Sequence, residues 1–316
     1  MKQEKKVVVC TGSGRPGGLG EAILQRFAAD GYRVVVSDID SSADPNSTHL
    51  AADADRAAVA TSLTALTGEP VPIFTCDVRD PSSVQSLFDQ TIAHYGRLDV
   101  LVNNAGISFV MKHTREVSPA EWQLVLDVTL GGVFYCTQAA ARIMEGQGWG
   151  GRIINIASQA AKSGFPHMAP YCAAKHGVIG LTRTAAIDYG AEQITVNAVC
   201  PNHVTTGLGS AQNAYFSTFF GISEADYLDG MRERIPLKRI GLGSDTAAAC
   251  AFLASDEASF ITGEAINISG GSQYRAFACN IPPHQTNARY GPAGRDCRQS
   301  EWFQQSAGRA DPSDQD

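Results

Sequence analysis

The chain has 316 residues, of which 44% are apolar and 18% charged, and a formal net charge of −7 at pH 7. That length allows one large domain or two small ones, with enough apolar material for a substantial core. The acidic balance, without a Lys/Arg cluster to track phosphates, argues against a nucleic-acid partner.

The N-terminal residues 1–6 are polar, and the apolar run after them, 7–10, is too short for the core of a secretion signal. No apolar stretch is read as approaching about 18 residues, so no membrane span is expected. The 8 cysteines form no CxxC pair, so no metal site is expected. Several lie inside apolar strand-like runs, where free Cys behaves as a small buried hydrophobe. A reducing, cytoplasmic location fits this usage.

The first predicted strand, 7–11, runs into Thr11-Gly12-Ser13-Gly14-Arg15-Pro16-Gly17-Gly18-Leu19-Gly20 and then a helix at 18–29. Glycines here let the backbone turn tightly and approach a pyrophosphate seated on the helix N-terminus. Two registers compete. Gly12, Gly14 and Gly17 fit GxGxxG, whereas Gly14, Gly18 and Gly20 fit GxxxGxG, and counting back from the helix favours the second. A second strand, 33–37, delivers Asp38 and Ile39, with Asp38 lying 18 residues after Gly20. An acid at that spacing accepts hydrogen bonds from the adenosine ribose hydroxyls and repels a 2′-phosphate. NAD is therefore favoured over NADP, although Arg15 in the glycine loop offers a charge that could pair with the phosphate.

Further on, strands are read at 72–76, 98–102, 152–157, 194–200 and 265–268, and helices near 56–66, 82–95, 119–145, 169–189 and 244–254. Ser118-Pro119 ahead of Glu121 forms a helix start with proline at the first position. The strands are nearly continuous apolar runs, as in strands buried on both faces. Their alternation with helices predicts an α/β fold, a single doubly wound parallel sheet with right-handed crossovers. Residues 205–240 break the alternation and carry Tyr215, Phe216, Phe219, Phe220 and Tyr227. They are read as a substrate lid, with two extra helices as the alternative. Residues 1–275 are expected to form the catalytic domain. The polar 276–316 segment is expected to be a disordered tail, or to lie along a subunit interface through Trp302-Phe303.

Tyr171 and Lys175 lie 4 apart on a predicted helix and share a face. Ser158 stands 13 residues earlier, at the carboxyl end of a strand, where ligands bind in open α/β sheets. Hydride transfer to a ketone requires a proton delivered to the oxygen. A tyrosine hydroxyl can deliver it, but its ordinary pKa of about 10 is too high. A nearby lysine favours the phenolate, and bringing the pKa near 7 takes about 4 kcal/mol of differential stabilisation. Ser158 would hold the substrate oxygen. The pair alone is weak evidence, and its weight comes from the combination.

With the glycine loop, Asp77-Val78, Asn103-Asn104-Ala105-Gly106, Ser158, Tyr171-Cys172-Ala173-Ala174-Lys175, Asn197 to Pro201 and Gly270-Gly271, the chain resembles the short-chain dehydrogenase/reductase family over roughly residues 5–272. The resemblance implies that Asp77 and Val78 flank the adenine. It implies that Asn104, Ala105 and Gly106 line the adenosine ribose and that Lys175 also binds the nicotinamide ribose. Val204 and Thr206, after Pro201, are implied to meet the carboxamide, and Gln159, Phe165, His203 and the lid to meet the substrate. A dimer or tetramer is implied as well.

The sequence departs from the family pattern at four places. Either Ser13 replaces the loop threonine or two residues are inserted after Gly12, bulging the loop. Thr129 stands before Leu130-Gly131-Gly132 where the family has an asparagine that helps hold a proton-relaying water. Pro201-Asn202-His203 replaces Pro-Gly, with Asn202 able to take a left-handed turn. The tail after Gly271 is long.

The reading is an oxidoreductase moving a hydride reversibly between NAD and a secondary alcohol or ketone, on a small-molecule substrate such as a polyol, diol or sugar derivative. A hydrophobic ketone suits the aromatic lid equally. The alternative, raised by Thr129, is a cofactor-binding regulatory or structural protein with weak or no turnover.

Overall fold

The computed structural model describes residues 5–40, 50–107 and 111–272. Met1–Arg275 forms one compact unit by its own contacts. The expectations for residues 276–316 lie outside the described residues.

Seven strands are present among the described residues: β1 (Val7–Thr11), β2 (Arg33–Asp38), β3 (Ile73–Thr75), β4 (Val100–Asn103), β5 (Gly151–Ile156), β6 (Ile194–Pro201) and β7 (Ala265–Ile268). They form one sheet in the order β3-β2-β1-β4-β5-β6-β7, and every pairing is parallel. The order reverses between β1 and β4, which opens a crevice at their carboxyl ends. β1 and β4 are in register from Val8 opposite Val100 to Cys10 opposite Val102. Thr11 and Asn103 therefore lead into the loops that flank this crevice.

Each strand alternates its side chains between two cores, as the pleat requires. Val8, Cys10, Val34, Val36 and Ile154 pack against α1 (Leu19–Ala29), α2 (Asp53–Thr67) and α9 (Gly243–Ala254). Val9, Val35, Leu101 and Ile153 pack against α3 (Pro81–Tyr95), α5 (Gly132–Gln147) and α6 (Ala169–Asp188). Phe27, on α1, and Phe88, on α3, are fully buried on opposite faces. Each side chain of this size contributes about 1.5–3 kcal/mol by leaving water.

The predicted helix at 119–145 is two helices. α4 (Pro119–Leu126) starts on a capping box in which Ser118 Oγ accepts from the Glu121 amide and Glu121 Oε2 accepts from the Ser118 amide. A wide π turn, Asp127–Gly131, follows before α5 begins. The expectation that no stretch is apolar enough to span a membrane needs one correction. Pro119–Gln147 passes on length and mean hydropathy, 1.3, but half of that window is buried inside the fold, as in the core helix of a folded domain.

The 205–240 stretch is helical for most of its length. α7 (Gly207–Phe220) and α8 (Glu224–Arg234) pack on each other. Phe216 and Phe220 stack on Tyr227 at 6.3 Å. Phe216, Phe220 and Tyr227, among the aromatics that suggested a loop lid, are the contacts that hold two helices together.

Candidate dinucleotide and active site

Thr11 ends β1 with its hydroxyl turned toward β4, where Oγ1 accepts from the Asn104 and Ala105 amides at 3.2 Å. Asn104 Nδ2 donates back to Thr11 O at 3.0 Å and Gly12 O at 2.8 Å. Gly12 adopts φ +65, and a Cβ there would lie 2.7 Å from Ala105 Cα, so only glycine fits. This geometry decides between the loop registers. Thr11-Gly12 makes the strand exit, Gly18 caps α1 without any side-chain hydrogen bond, and the extra pair is Ser13-Gly14.

The extra residues are not idle. Ser13 N donates to Ser37 O at 2.9 Å and Ser13 Oγ accepts from Ser37 N at 3.0 Å, carrying the loop onto β2. Gly14 N then donates to Asp38 Oδ2 at 2.8 Å, while Ile39 N donates to Oδ1 at 2.9 Å. Burial raises the Asp38 carboxyl above its ordinary range, opposed by these two amides and by the nearby Arg56 and Arg15 charges.

Arg56, on α2, went unnoticed in the sequence because its helix carries no motif. It is buried, donates to Ile39 O at 2.8 Å, and pairs with Asp53. A Cβ on Gly14 would lie 2.6 Å from Arg56 Cγ and 2.9 Å from Asp38 Cβ. The bare α1 terminus, the glycine exit and a carboxylate at the end of β2 fit an adenine dinucleotide, whose pyrophosphate would meet the α1 amides. Asp77 is held by the Arg79 guanidinium, with Nε 2.9 Å from Oδ1, and its carboxyl lies below the usual range. Val78 packs under Gly132 at the start of α5.

A second group gathers at the carboxyl ends of β4 and β5. Ser158 follows β5, and its Oγ accepts from Ala160 N at 3.1 Å, fixing the short turn that carries Gln159. The Ser158 hydroxyl lies near enough to the Tyr171 phenol to lower its pKa against burial. Tyr171 is the third residue of α6 and Lys175 lies one turn on. Lys175 Nζ donates to Ile156 O at 2.5 Å and sits 5.6 Å from the Tyr171 ring centre. Asn155 locks this arrangement, accepting from Asn103 Nδ2 at 2.8 Å and donating to Thr182 Oγ1 on α6 at 2.9 Å.

The expected lowering of the Tyr171 pKa is not seen in the protein alone. Burial pushes the phenol up to about 12 against the lowering by Ser158, and burial brings the Lys175 ammonium down to about 8. The reason is geometric: the ammonium is directed at a backbone carbonyl and both groups are desolvated.

Thr129 sits on the π turn, fully buried. Its hydroxyl accepts from Ile107 N and donates to Ile107 O, both at 3.3 Å. A methyl placed on Gly106 would lie 3.6 Å from Lys175 Nζ and 3.7 Å from Thr129 Oγ1. The two side chains therefore converge on one point of the β4 exit.

Past Pro201, the left-handed residue is His203 (φ +38) rather than Asn202. Asn202 N donates to Ile268 O at 3.0 Å and is buried, which leaves the turn to its neighbour. The His203 ring lies 5.8 Å from Tyr227, beneath the α7–α8 pair, and burial lowers its pKa to about 4. Val204 bridges to Gly241, and Thr206 precedes α7. Phe165, half-buried, lies on the loop before α6. That loop also brings His167 against Tyr215, a contact no sequence motif marked.

A doubly wound sheet with a dinucleotide cradle at its switch point and a Ser-Tyr-Lys group beside it defines a nicotinamide-dependent oxidoreductase. The comparisons agree. A family model described as enoyl-(acyl carrier protein) reductase matches residues 12–273. A short-chain dehydrogenase/reductase of Armillaria gallica is 34% identical, over 84% of this chain and 95% of its own length. The meso-2,3-butanediol dehydrogenase of Serratia marcescens is 35% identical, over 86% of this chain and 96% of its own. A variant of actinorhodin polyketide ketoreductase solved with NADPH superposes with a TM-score of 0.77 at 32% identity, covering 86% of this chain and 98% of that one. The chain belongs to the short-chain dehydrogenase/reductase family.

Proposed function

We propose that this protein is an NAD-dependent secondary-alcohol dehydrogenase and ketone reductase in which Tyr171 is the general acid/base. Tyr171 beside Ser158, with Lys175 one helical turn on and its Nζ 5.6 Å from the phenol ring centre, carries this reading. Bound nicotinamide supplies or accepts the hydride and, when oxidised, brings a positive charge. Ser158 Oγ orients the substrate oxygen, and Tyr171 Oη gives or takes its proton. Lys175 holds its ammonium on the Ile156 carbonyl, from which it would bind the nicotinamide ribose. A second cation near the phenol opposes the burial that now holds it at about 12.

Asp38 supports NAD over NADP, since its two oxygens close the end of β2 where a 2′-phosphate would arrive. Gln159, Phe165 and the α7 face are assigned to substrate. Two substrate classes belong to the proposal, a hydrophobic ketone suited to the aromatic α7 face and a polyol or diol, on which the relative from Serratia marcescens acts by its name. A homodimer or homotetramer is part of the proposal, as is a reducing compartment, supported by the free state of the six described cysteines.

Tyr171→Phe tests the chemistry. Turnover of a secondary alcohol is expected to vanish while NADH still quenches tryptophan fluorescence. Unchanged turnover in the variant sinks the mechanism.

A further inference from the structure

His167 adopts a left-handed backbone conformation, φ +63, uncommon for a residue other than glycine. Such strain persists where surrounding contacts impose it. Four contacts surround it here. Its carbonyl accepts from Lys112 N at 3.1 Å. Its Nδ1 lies 2.6 Å from Tyr215 Oη on α7. Its ring stands edge-on to Phe219 at 4.8 Å and 6.0 Å from the His113 ring. One side chain thereby ties together the segment after β4, the loop into α6 and the outer helix pair.

The placement relative to the chemistry follows from chain distance. His167 is two residues before α6, and Tyr171 is the third residue of that helix. The opposite side of α7 is occupied, because Phe216 is buried and stacks on Tyr227. Tyr215 and Phe219 are thus left on the His167 side, near-parallel with an interplanar angle of 10°. All three rings are only half-buried, so their remaining faces border solvent-accessible space at the head of α6.

We propose that His167, Tyr215 and Phe219 form an aromatic clamp that determines specificity, packing a flat ring of the substrate beside the carbon that Tyr171 serves. The substrate class is a secondary alcohol or ketone borne on, or fused to, an aromatic or planar ring. This deepens the dehydrogenase reading and rests on it. The His167–Tyr215 hydrogen bond fixes the ring edges, and Phe219 supplies the apolar face. A ring placed edge-to-face or offset against such partners gains attraction beyond its buried area. An open-chain substrate of equal hydrophobicity gains none of it.

The test compares 1-tetralol with 2-octanol in the full-length protein and in His167→Asn, Phe219→Leu and Tyr215→Phe. Asn tolerates the left-handed backbone, so the first variant removes the ring without adding strain. The wild-type ratio of kcat/KM, tetralol over octanol, is expected to fall about tenfold in His167→Asn and Phe219→Leu, and less in Tyr215→Phe, which keeps its ring. A ratio that stays constant, whether both rates fall together or neither changes, overturns the clamp and leaves hydride transfer standing.

A second readout needs no turnover. Adding 1-tetralone, but not 2-octanone, is expected to shift the His167 Hε1 resonance by ring current, in Tyr171→Phe as in wild type, the peak being assigned by its loss in His167→Asn. That shift in a protein that oxidises neither alcohol would keep the clamp and overturn the dehydrogenase reading. Equal responses to both ketones overturn the clamp.

Discussion

Thr129→Val is the most informative single change, because valine matches threonine in shape and removes only the hydroxyl. That hydroxyl serves both the N–H and the C=O of Ile107 at 3.3 Å. Losing it strands one donor and one acceptor next to a fully buried side chain. Each stranded buried group costs about 1–3 kcal/mol. Ile107 is half-buried and the two bonds are long, so the low end applies, about 1–2 kcal/mol in total. For a domain of this size that lowers Tm by roughly 2–6 °C.

The effect on rate should exceed the effect on stability. Ile107 follows Gly106, which faces Lys175 Nζ and Thr129 Oγ1, so a loosened backbone there disturbs the lysine's surroundings. Small misplacements of this kind cost up to about 100-fold. A kcat about tenfold lower is expected, with NADH affinity changed much less. Thr129→Asn, which can also donate and accept, is expected to restore both Tm and rate. Melting by circular dichroism and steady-state NAD reduction read the two effects. A valine variant that melts and turns over like wild type refutes the claim that this hydroxyl positions the β4 exit.

Three further outcomes are expected. Gly14→Ala drives a methyl into Arg56 and Asp38. It should weaken NADH binding about tenfold in a fluorescence titration and narrow the preference for NADH over NADPH; tighter wild-type binding of NADPH would contradict the role given to Asp38. His203 is held neutral with a pKa near 4, below its ordinary 6.5. Its unfolded form takes up the proton first, so stability is full above pH 6.5 and falls toward pH 4, by up to about 3 kcal/mol. Chemical denaturation of His203→Gln across that range should lose part of this slope, and an identical slope would mean that His203 does not titrate this way. A chain ended at Arg275 is expected to fold and bind NADH, because Met1–Arg275 is compact by its own contacts. An insoluble truncation would assign residues 276–316 a structural role.

Much of the site was legible because it lies where local chain geometry is strict. β1 and its glycine exit, Asp38 at the end of β2, and Tyr171 with Lys175 on one helical face are set by short-range spacing. What was not legible depends on contacts between distant segments. Arg56 reaches the adenosine end of the crevice only because α2 packs behind β2. The sequence favoured the Gly14, Gly18 and Gly20 register, and the contact of Thr11 with Asn104 and Ala105 across the switch point instead makes Thr11-Gly12 the strand exit. The left-handed turn after Pro201, which Asn202 could have taken, falls on His203, since Asn202 is claimed by Ile268 of β7.

The aromatic residues of 205–240 show the same division. Their number suggested a functional surface, but only packing separated Phe216 and Tyr227, which hold α7 to α8, from Tyr215 and Phe219, which face His167. The titration of Tyr171 is the clearest case. Sequence alone determined that a phenol and an ammonium share a helix face one turn apart, the pair to which the proposed acid/base role is given. Tertiary structure alone decided how far each is buried and where the ammonium points. Those two facts set the charge state, because desolvation and direction, unlike spacing, are properties of everything folded around the pair.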